Sequence, residues 1–423
     1  MPDTAISKIL KNSTREIHAS IESTPFAQAV LKKEITIEAY LGFIRVLAVI
    51  HSALEGCLSN CSDQRILRIW SIEMQRSPLL NDDNDFFRWD LIPESPEAVK
   101  AALEAAAHIR QVAGNNPIAL AGAVYVLMGS TKGAVILLPL IAKTLNLTSD
   151  KGLSYLSCHG GQGPEQWDAA SAVMDEVITD PDEIKAAQDT ALLIFRKLDK
   201  AFKAVFPLQP AEMKYCATGF NPESGNHPVP QNKLDLVAVL RASDACLSEY
   251  PYFIYRYGKR GRRYTDADGA WLTTAAELEP ETMQSQAGWL AGVLSSRGMP
   301  SILLARHLEI LSRELSFIQK EDDYRISILT AAARSIGDNL ENNIPGNMRK
   351  LRAEAMEQSL GRKNDFCCHE ALDLISSAVV DEANGIKNAI ESLMLWLIDP
   401  KRFSKQWIQV LKDEVEYLRT AID

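Results

Sequence analysis

The sequence lacks an uninterrupted apolar run long enough to cross a bilayer. The longest run in its 423 residues, AVILLPLIA at 134–142, is far shorter than the ~20 residues that a membrane-spanning helix needs. The first residues also lack the basic segment followed by an apolar one that marks a secretory signal. These two absences argue against secretion and membrane insertion, and we expect a cytoplasmic protein.

Cysteine is scarce and irregularly spaced. The seven cysteines are an odd number, which is not typical of a disulfide framework and favours reduced thiols. Cys57 and Cys61 lie four residues apart, and Cys367, Cys368 and His369 are adjacent. Neither group is followed by a partner pair at zinc-ligand spacing. We therefore interpret both groups as inert rather than metal-binding.

Basic residues are also fewer than acidic residues. The chain has 45 basic and 55 acidic residues, a net charge of -10 and a pI near 5.4. This balance argues against a general nucleic-acid binder. Apolar residues make up 46% of the chain and charged residues 24%, which is typical of a globular protein rather than a disordered or fibrous one.

No segment alternates apolar and polar residues with a period of two, so the sequence predicts no strands. Apolar residues instead recur at steps of three and four, the period of a helix with one buried face. One such stripe consists of Tyr40, Phe43, Leu47, Ile50, Leu54 and Leu58, and another begins with Leu236, Val239, Leu240 and Leu247. We predict an all-α protein.

One segment interrupts the helical pattern near the middle of the chain. PLQPAEMKYCATGFNPESGNHPVPQN, at 207–232, collects prolines, glycines and asparagines. We predict a linker at 208–232, between a first helical domain at 1–207 and a second at 233–423. The sequence contains no internal repeat and no low-complexity tract.

A helix predicted from about residue 4 to Ser23, ended by Pro25, carries a histidine. Seven residues separate Lys11 from His18, so the two lie on one helix face roughly 10 Å apart. An imidazole that binds haem iron and a lysine that neutralises a haem propionate need about this distance. A structural role for the histidine stays open on this pattern alone. His51, on the apolar face of the next helix, is predicted to be a core residue bonded to a backbone carbonyl or, alternatively, a residue that supports the site from behind.

Two glycines interrupt the apolar segment AGAVYVLMGSTKGAVILLPL, at 121–140. In a helix, Gly129 and Gly133 each cost ~0.8–1 kcal/mol relative to alanine. Because they are four residues apart, they clear one face, where a second helix or a flat ligand can approach the backbone. Ser130 and Thr131 would offer polar groups beside such a ligand. The pattern leaves both interpretations open.

Together these segments resemble the haem oxygenase family, in particular its bacterial biliverdin-forming members. The resemblance rests on STREIHASIESTPFAQAVLKKEITIEAYLGFIRVLAVIHSALE (13–55), VYVLMGSTKGA (124–134) and SYLSCHGGQGPEQW (154–167). It covers about the first 207 residues. It implies the helical fold of that family for the first domain, and it leaves residues 233–423 unassigned.

The resemblance implies a role for each residue that was singled out. His18 becomes the iron ligand, and so the metal-binding residue, while Lys11 contacts a propionate. Gly129 and Gly133 match the positions whose backbone crosses the distal face of the haem, and Ser130 lies between them. These last three would form the catalytic part of the site.

The resemblance also implies a reaction and its partners. Tyr125 and Thr131 would complete the haem-contacting wall. Haem would be both cofactor and substrate, and O₂ would cleave it to biliverdin, carbon monoxide and Fe²⁺. Electrons would come from a donor protein of the ferredoxin, flavodoxin or reductase type. Neither nucleic acid nor a membrane takes part, and a homodimer is a further expectation.

Two departures from the family pattern keep different functions open. Ser130 stands where well-studied members have a water-anchoring aspartate, and Ala134 replaces the second glycine of the usual pair. They favour, as an alternative, a haem-binding carrier or sensor that does not consume haem. A non-haem di-iron oxygenase on the same fold and an interaction scaffold with a vestigial pocket also stay open.

The second domain offers two distinctive segments. YRYGKRGRRYTDADGAWL, at 255–272, places five basic residues among tyrosines in an otherwise acidic protein. We interpret it as a solvated loop or helix end, with an anion site as the alternative. SSRGMPSILLARHLEIL, at 295–311, predicts a turn and then an amphipathic helix. Its His307 is a core residue or, alternatively, a second haem ligand.

Overall fold

The structure, a computed structural model, describes residues 5–148, 151–157, 163–318, 323–361 and 366–422, with only the backbone at 131 and 132. Over these ranges the chain forms α-helices and short 3-10 turns and no named strand. The prediction of an all-α protein is confirmed. The contacts divide the chain into two compact units, Met1–Pro228 and Val229–Asp423.

The described part of the first unit contains twelve α-helices. They are α1 (Ile6–Glu22), α2 (Pro25–Lys32), α3 (Ile37–Ser59), α4 (Gln64–Ile69), α5 (Ser77–Phe86), α6 (Pro96–Asn115), α7 (Leu120–Gly129), α8 (Thr131–Leu145), α9 (Ser154–Ser157), α10 (Gly163–Val177), α11 (Pro181–Ala204) and α12 (Ala217–Phe220).

Helix boundaries in this unit follow from capping residues. The helix predicted from about residue 4 to Ser23 is α1, and α2 begins at Pro25 because the Thr24 hydroxyl accepts the Ala27 backbone N–H. Ser95 caps α6 in the same way, and the Asp180 carboxylate caps α11. Each of these three helices starts with proline, whose missing N–H has no partner to lose there.

α3 is the core helix of the unit and packs against α5 and α6. It is long and apolar enough to cross a membrane by length and composition, as is the bent pair α7–α8 if it is counted as one span, but 83% of the α3 window is buried in the fold. Ile44, Ile50 and Leu54 are almost fully enclosed. Each such side chain contributes roughly 1.5–3 kcal/mol to stability.

The backbones of α7 and α11 are in direct contact at Gly122. A Cβ atom on Gly122 would lie 1.9 Å from the Ala187 carbonyl oxygen and 2.9 Å from the Ala191 nitrogen. Only glycine fits there, because those atoms belong to the backbone of α11 and cannot turn aside. α11 also packs against α1 and α6, so it joins three helices of the unit.

Most of the segment predicted as a linker packs within the first unit. Lys214 pairs with Glu94 through two backbone hydrogen bonds of 2.7 and 2.9 Å, and Thr218 and Asn221 are buried. The boundary between the units, after Pro228, falls inside the predicted linker.

The second unit is also helical. Its described helices are α13 (Lys233–Glu249), α14 (Tyr252–Ala275), α15 (Pro280–Ser295), α16 (Ser301–Ile318), α17 (Tyr324–Asn343), α18 (Gly346–Leu360), α19 (Cys368–Ala383), α20 (Ala389–Leu397) and α21 (Lys405–Ile422). α16 packs against α13, α17 and α19, and α19 also packs against α18, α20 and α21.

The basic segment at 255–272 lies inside α14, so its interpretation as a loop is wrong, although Lys259 and Arg260 are solvent-exposed beside a bend in the helix. α14 bends at Gly258, whose φ of 58° is a left-handed conformation. Arg256, two residues earlier, donates from Nη2 to the Ser392 carbonyl at 2.6 Å. Contacts of this kind hold the basic segment in a helix.

Candidate functional site

His18 lies on the exposed side of α1. Its side chain is 57% exposed, and one edge of the ring packs against Phe195 with the ring centroids 5.8 Å apart. The Glu22 Oε1 atom lies 3.5 Å from His18 Nδ1, one helical turn further on. Lys11 is also exposed, and because α1 is unbroken it shares a face with His18, as predicted.

Two hydrogen-bonded pairs fix α1 on either side of the histidine. Near its start, the backbone N–H and hydroxyl of Ser7 donate to Asp175 on α10, at 2.8 and 2.7 Å. Near its end, the Ser20 hydroxyl donates to Asp199 on α11 at 2.8 Å. The backbone that carries His18 is therefore held at both ends by polar contacts.

The segment that contains the two glycines is broken into two helices. Gly129 ends α7, and Gly133 lies in the first turn of α8. The helix axis bends by 42° between 117–129 and 133–145. Ser130, at the bend, is exposed and donates its hydroxyl hydrogen to the Leu127 carbonyl at 2.6 Å. The side chain of Thr131 lies outside the described residues.

A contact between Thr14 and Tyr125 connects α1 with α7. Tyr125 is half-buried, which raises the pKa of its phenol, and the Thr14 side chain partly offsets that rise. The Tyr125 ring meets Trp167 edge-on at 5.4 Å. His18 follows Thr14 by four residues, and Gly129 follows Tyr125 by four. Each therefore lies about 6 Å along its helix from one shared contact, so the structure brings the two predicted elements together.

The glycines at the bend are not required by packing. A Cβ atom on Gly129 would lie 3.6 Å from the Trp167 ring, an ordinary contact distance, and one on Gly133 would meet nothing within 4 Å. Gly122, in contrast, has no room for a Cβ atom. Ile136, which shares a helix face with Gly133, is 63% exposed. This part of α8 therefore presents an open, apolar face without a side chain at its centre.

His51 is buried, as predicted, but its predicted bond to a backbone carbonyl is wrong. Its Nδ1 atom lies 3.2 Å from Glu55 Oε1, and the same carboxylate accepts the backbone N–H groups of Arg76 and Ser77 at 2.7 and 3.1 Å. Burial acts to raise the pKa of Glu55, but these hydrogen bonds outweigh it and the pKa is lowered. An ionised Glu55 accepts a hydrogen bond from His51 Nδ1, and His51 Nε2 has no hydrogen-bond partner among the described residues.

These polar groups extend to the bend between α7 and α8. The Tyr155 ring meets the His51 ring edge-on at 5.7 Å, and Tyr155 Oη lies 3.4 Å from Ser130 Oγ. Arg76 is buried and donates from Nη2 to Gln166 at 3.1 Å, while its Nε and Nη1 atoms have no partner among the described residues. This cluster was not predicted from the sequence. Its one local signal is the histidine–glutamate pair, four residues apart on an apolar helix.

No metal-ligand group was found in the ranges that the structure describes. Those ranges contain no set of three or more histidine, cysteine, aspartate or glutamate side chains that could hold an ion. The di-iron alternative therefore has no ligand set there. Cys57, Cys61, Cys367 and Cys368 are free thiols.

The family model described as Heme oxygenase matches residues 4–204. The first unit is similar to the haem oxygenases. This confirms the resemblance to the haem oxygenase family as a whole, and the second unit lies outside the match. With the helices described above, the fold is a haem oxygenase-like helical unit followed by a second helical unit.

Haem oxygenases from two vertebrates are among the relatives. "Heme oxygenase 1" of Gallus gallus is 26% identical over 162 residues, which are 37% of this chain and 54% of that protein. "Heme oxygenase" of Takifugu rubripes is 28% identical over 165 residues, or 38% of this chain and 58% of that protein. The chain spans about half the length of these relatives.

Solved haem oxygenases also align with about half of this chain. Heme oxygenase-2 from Synechocystis, in complex with heme and NO, covers 48% of this chain and 85% of its own, with 19% identity and a TM-score of 0.44. Heme oxygenase from Leptospira interrogans covers 47% of this chain and 98% of its own, with 22% identity and a TM-score of 0.43.

Proposed function

We propose that the first unit binds haem through His18 and cleaves it with O₂ to biliverdin, carbon monoxide and Fe²⁺. Haem is the substrate, and its iron supplies the oxygen chemistry once an external protein delivers electrons. The residues described above bind and orient haem and keep polar hydrogens near its distal face.

The proximal side of the proposed site is α1. The Glu22 carboxylate beside His18 Nδ1 favours a proton on that nitrogen, which leaves Nε2 with a free lone pair for iron. Lys11, about 10 Å away on the same face, suits a propionate. Lys11 and Arg15 are exposed and give this helix a positive surface, which favours an acidic electron donor.

The observation that carries the proposal is the pair of glycines that the protein interior does not need. Gly129 ends α7 and Gly133 lies in the first turn of α8, and a Cβ would be tolerated at both positions. We infer that these two positions carry no side chain because a ligand approaches the open face of the bend there. A flat, largely apolar macrocycle meets that requirement, with Tyr125 as part of the wall.

Protons have a source beside the bend. Ser130, Tyr155 and His51 form a line of polar groups that starts at the exposed turn and ends at Glu55. We propose that ordered water at this turn, bonded to Ser130 and Tyr155, replaces the carboxylate that the family pattern places at position 130.

One observation favours the alternative, a haem carrier or sensor. The Ser130 hydroxyl already donates to the Leu127 carbonyl, so the turn offers no acid of its own. In a carrier, haem would bind through His18 and persist. We place either function in the cytoplasm, since the six described cysteines are all free thiols. A homodimer is part of the same proposal.

An optical titration with haemin, followed by reductant and an electron-donor protein under air, tests the proposal. The wild-type chain should show a saturable Soret band that decays to red-absorbing biliverdin with release of carbon monoxide. His18→Ala should weaken haemin binding at least tenfold, and added imidazole should restore the spectrum, which it could not do in a misfolded protein. His369→Ala, at a histidine that is 47% exposed on α19, is the matched control.

The outcomes separate the two functions. A stable haem spectrum with several competent donors would support the carrier. Haemin binding and turnover in His18→Ala at wild-type levels would contradict both functions, because each assigns the iron to that residue.

A further inference from the structure

The second unit contains a partly open cavity of about 270 Å³ between α14, α15 and the start of α16. It is nearly twice the ~150 Å³ of a cavity that holds one benzene ring. One ring with a short polar side chain would fill it, whereas a porphyrin would not fit. His307 lines this cavity, so its alternative role as a second haem ligand is not supported by the space around it.

The helix stripe that faces the cavity is unusually polar. Residues at steps of three and four on the inward face of a helix are normally apolar. On α14 this stripe includes Tyr257, Arg260, Tyr264 and Asp268, while Leu294 and Leu303 from α15 and α16 supply apolar surface opposite. Arg260 is exposed and the other three are only partly buried, so these polar groups line the open side of the cavity, where a ligand can reach them.

His307 is buried and has no hydrogen-bond partner among the residues that the structure describes. It is only 4% exposed, and neither ring nitrogen is bonded. Burial lowers the pKa of its imidazole to about 4, so the ring is neutral near pH 7 and offers one donor and one acceptor. Gly269 makes room for it, because a Cβ there would lie 2.9 Å from Nε2. A buried imidazole without partners is unfavourable unless a ligand or water supplies them.

Two opposite charges line the same cavity without forming an ion pair. Asp268 is half-buried and Arg297 is exposed, and no hydrogen bond or ion pair of either charged group is found among the residues that the structure describes. Burial raises the pKa of Asp268 to about 7, and Arg297 lowers it only in part. The Tyr257 hydroxyl donates to the Arg297 backbone carbonyl at 2.9 Å and so holds that turn against α14.

We propose that this cavity binds a free α-amino acid with an aromatic side chain that carries a polar group, such as a phenol. The ammonium group would pair with Asp268 and the carboxylate with Arg297, which satisfies both charges at once. The aromatic ring would lie among Tyr257, Tyr264 and the leucines, and its polar group would bond to His307. A simple carboxylic acid would leave Asp268 unpaired beside a like charge, and a simple amine would do the same to Arg297.

Isothermal titration calorimetry of the full chain tests this with three probes of equal ring size. L-tyrosine should bind one site per chain at least tenfold more tightly than 3-(4-hydroxyphenyl)propionate, which lacks the ammonium, and than tyramine, which lacks the carboxylate. Equal affinity for either analogue would overturn the proposal, as would the absence of binding by L-tyrosine at millimolar concentration.

Variants locate the site. Asp268→Asn should remove the preference for L-tyrosine over the propionate, and His307→Leu should remove the preference for L-tyrosine over L-phenylalanine. Asp338→Asn, at an exposed aspartate on α17, is the matched control and should change neither preference. Unchanged preferences in both site variants would place any observed binding elsewhere and overturn the assignment. Circular dichroism of each variant verifies that the helices are retained.

Discussion

An alanine at position 122 would press directly on the backbone of α11. The added Cβ would start 1.9 Å from the Ala187 oxygen, and ordinary contact begins at 3.4 Å, so α7 would have to move by about 1.5 Å. Overpacking of a well-packed contact costs typically ~1–3 kcal/mol, and we expect the upper end because the obstructing atoms are backbone. For a unit of this size, ~3 kcal/mol corresponds to a fall of about 6–12 °C in melting temperature.

Gly56→Ala is a matched control for this change. Gly56 lies on the exposed side of α3, and a Cβ there meets nothing within 4 Å. The same added methyl should therefore stabilise the helix by ~0.8–1 kcal/mol. Scanning calorimetry of the full chain, following the transition of the first unit, compares the two variants with wild type. A Gly122→Ala protein that melts within ~1 °C of wild type would refute the described approach of α7 to α11.

Three further predictions concern the first unit. Gly133→Leu should leave the melting temperature unchanged or slightly raised, because the position is open, yet weaken haemin binding at least tenfold in the optical titration; unchanged binding would remove this face from the site. Burial raises the pKa of Asp83 to about 6, above its ordinary 3.8, so the free energy of unfolding should fall as pH rises between these values. Urea titrations at several pH values should show this slope in wild type and not in Asp83→Asn, and an identical slope in both would contradict it. Lys33 ends α2 in a left-handed conformation, so Lys33→Gly should stabilise the unit by ~0.5–1 kcal/mol in the same assay; a loss of stability would show that the lysine side chain makes a favourable contact.

The sequence predicted the helix that carries His18 well because its determinants are local. The caps and prolines that bound α1 and α2 lie within a few residues of the ends that they set. The shared face of Lys11 and His18 follows from helix periodicity alone. The glycine pair was visible for the same reason, although the two interpretations of it could be separated only by measuring the free space around each Cβ.

The remaining features depend on contacts between distant residues. The sequence predicts a carbonyl partner for His51, but its partner is the Glu55 carboxylate, one helical turn away. A local pattern does not show which polar groups in the core are free to bond with a buried histidine. The basic segment of α14 is interpreted from the sequence as a solvated loop or helix end, because five positive charges ordinarily require solvent. Arg256 instead bonds to the Ser392 carbonyl, 136 residues later in the chain. Asp268 and His307 likewise share a cavity only after α14 and α16 have packed.

The position of α11 in the chain determines when the first unit can finish folding. α1, α6 and α7 are synthesised first, and each buries part of its apolar face against α11, which ends only at Ala204. Until α11 has been synthesised, the apolar faces that α1, α6 and α7 bury against it stay exposed. A nascent chain that stops before Pro181 therefore lacks the helix that covers α1, α6 and α7, and we expect chaperones to bind it.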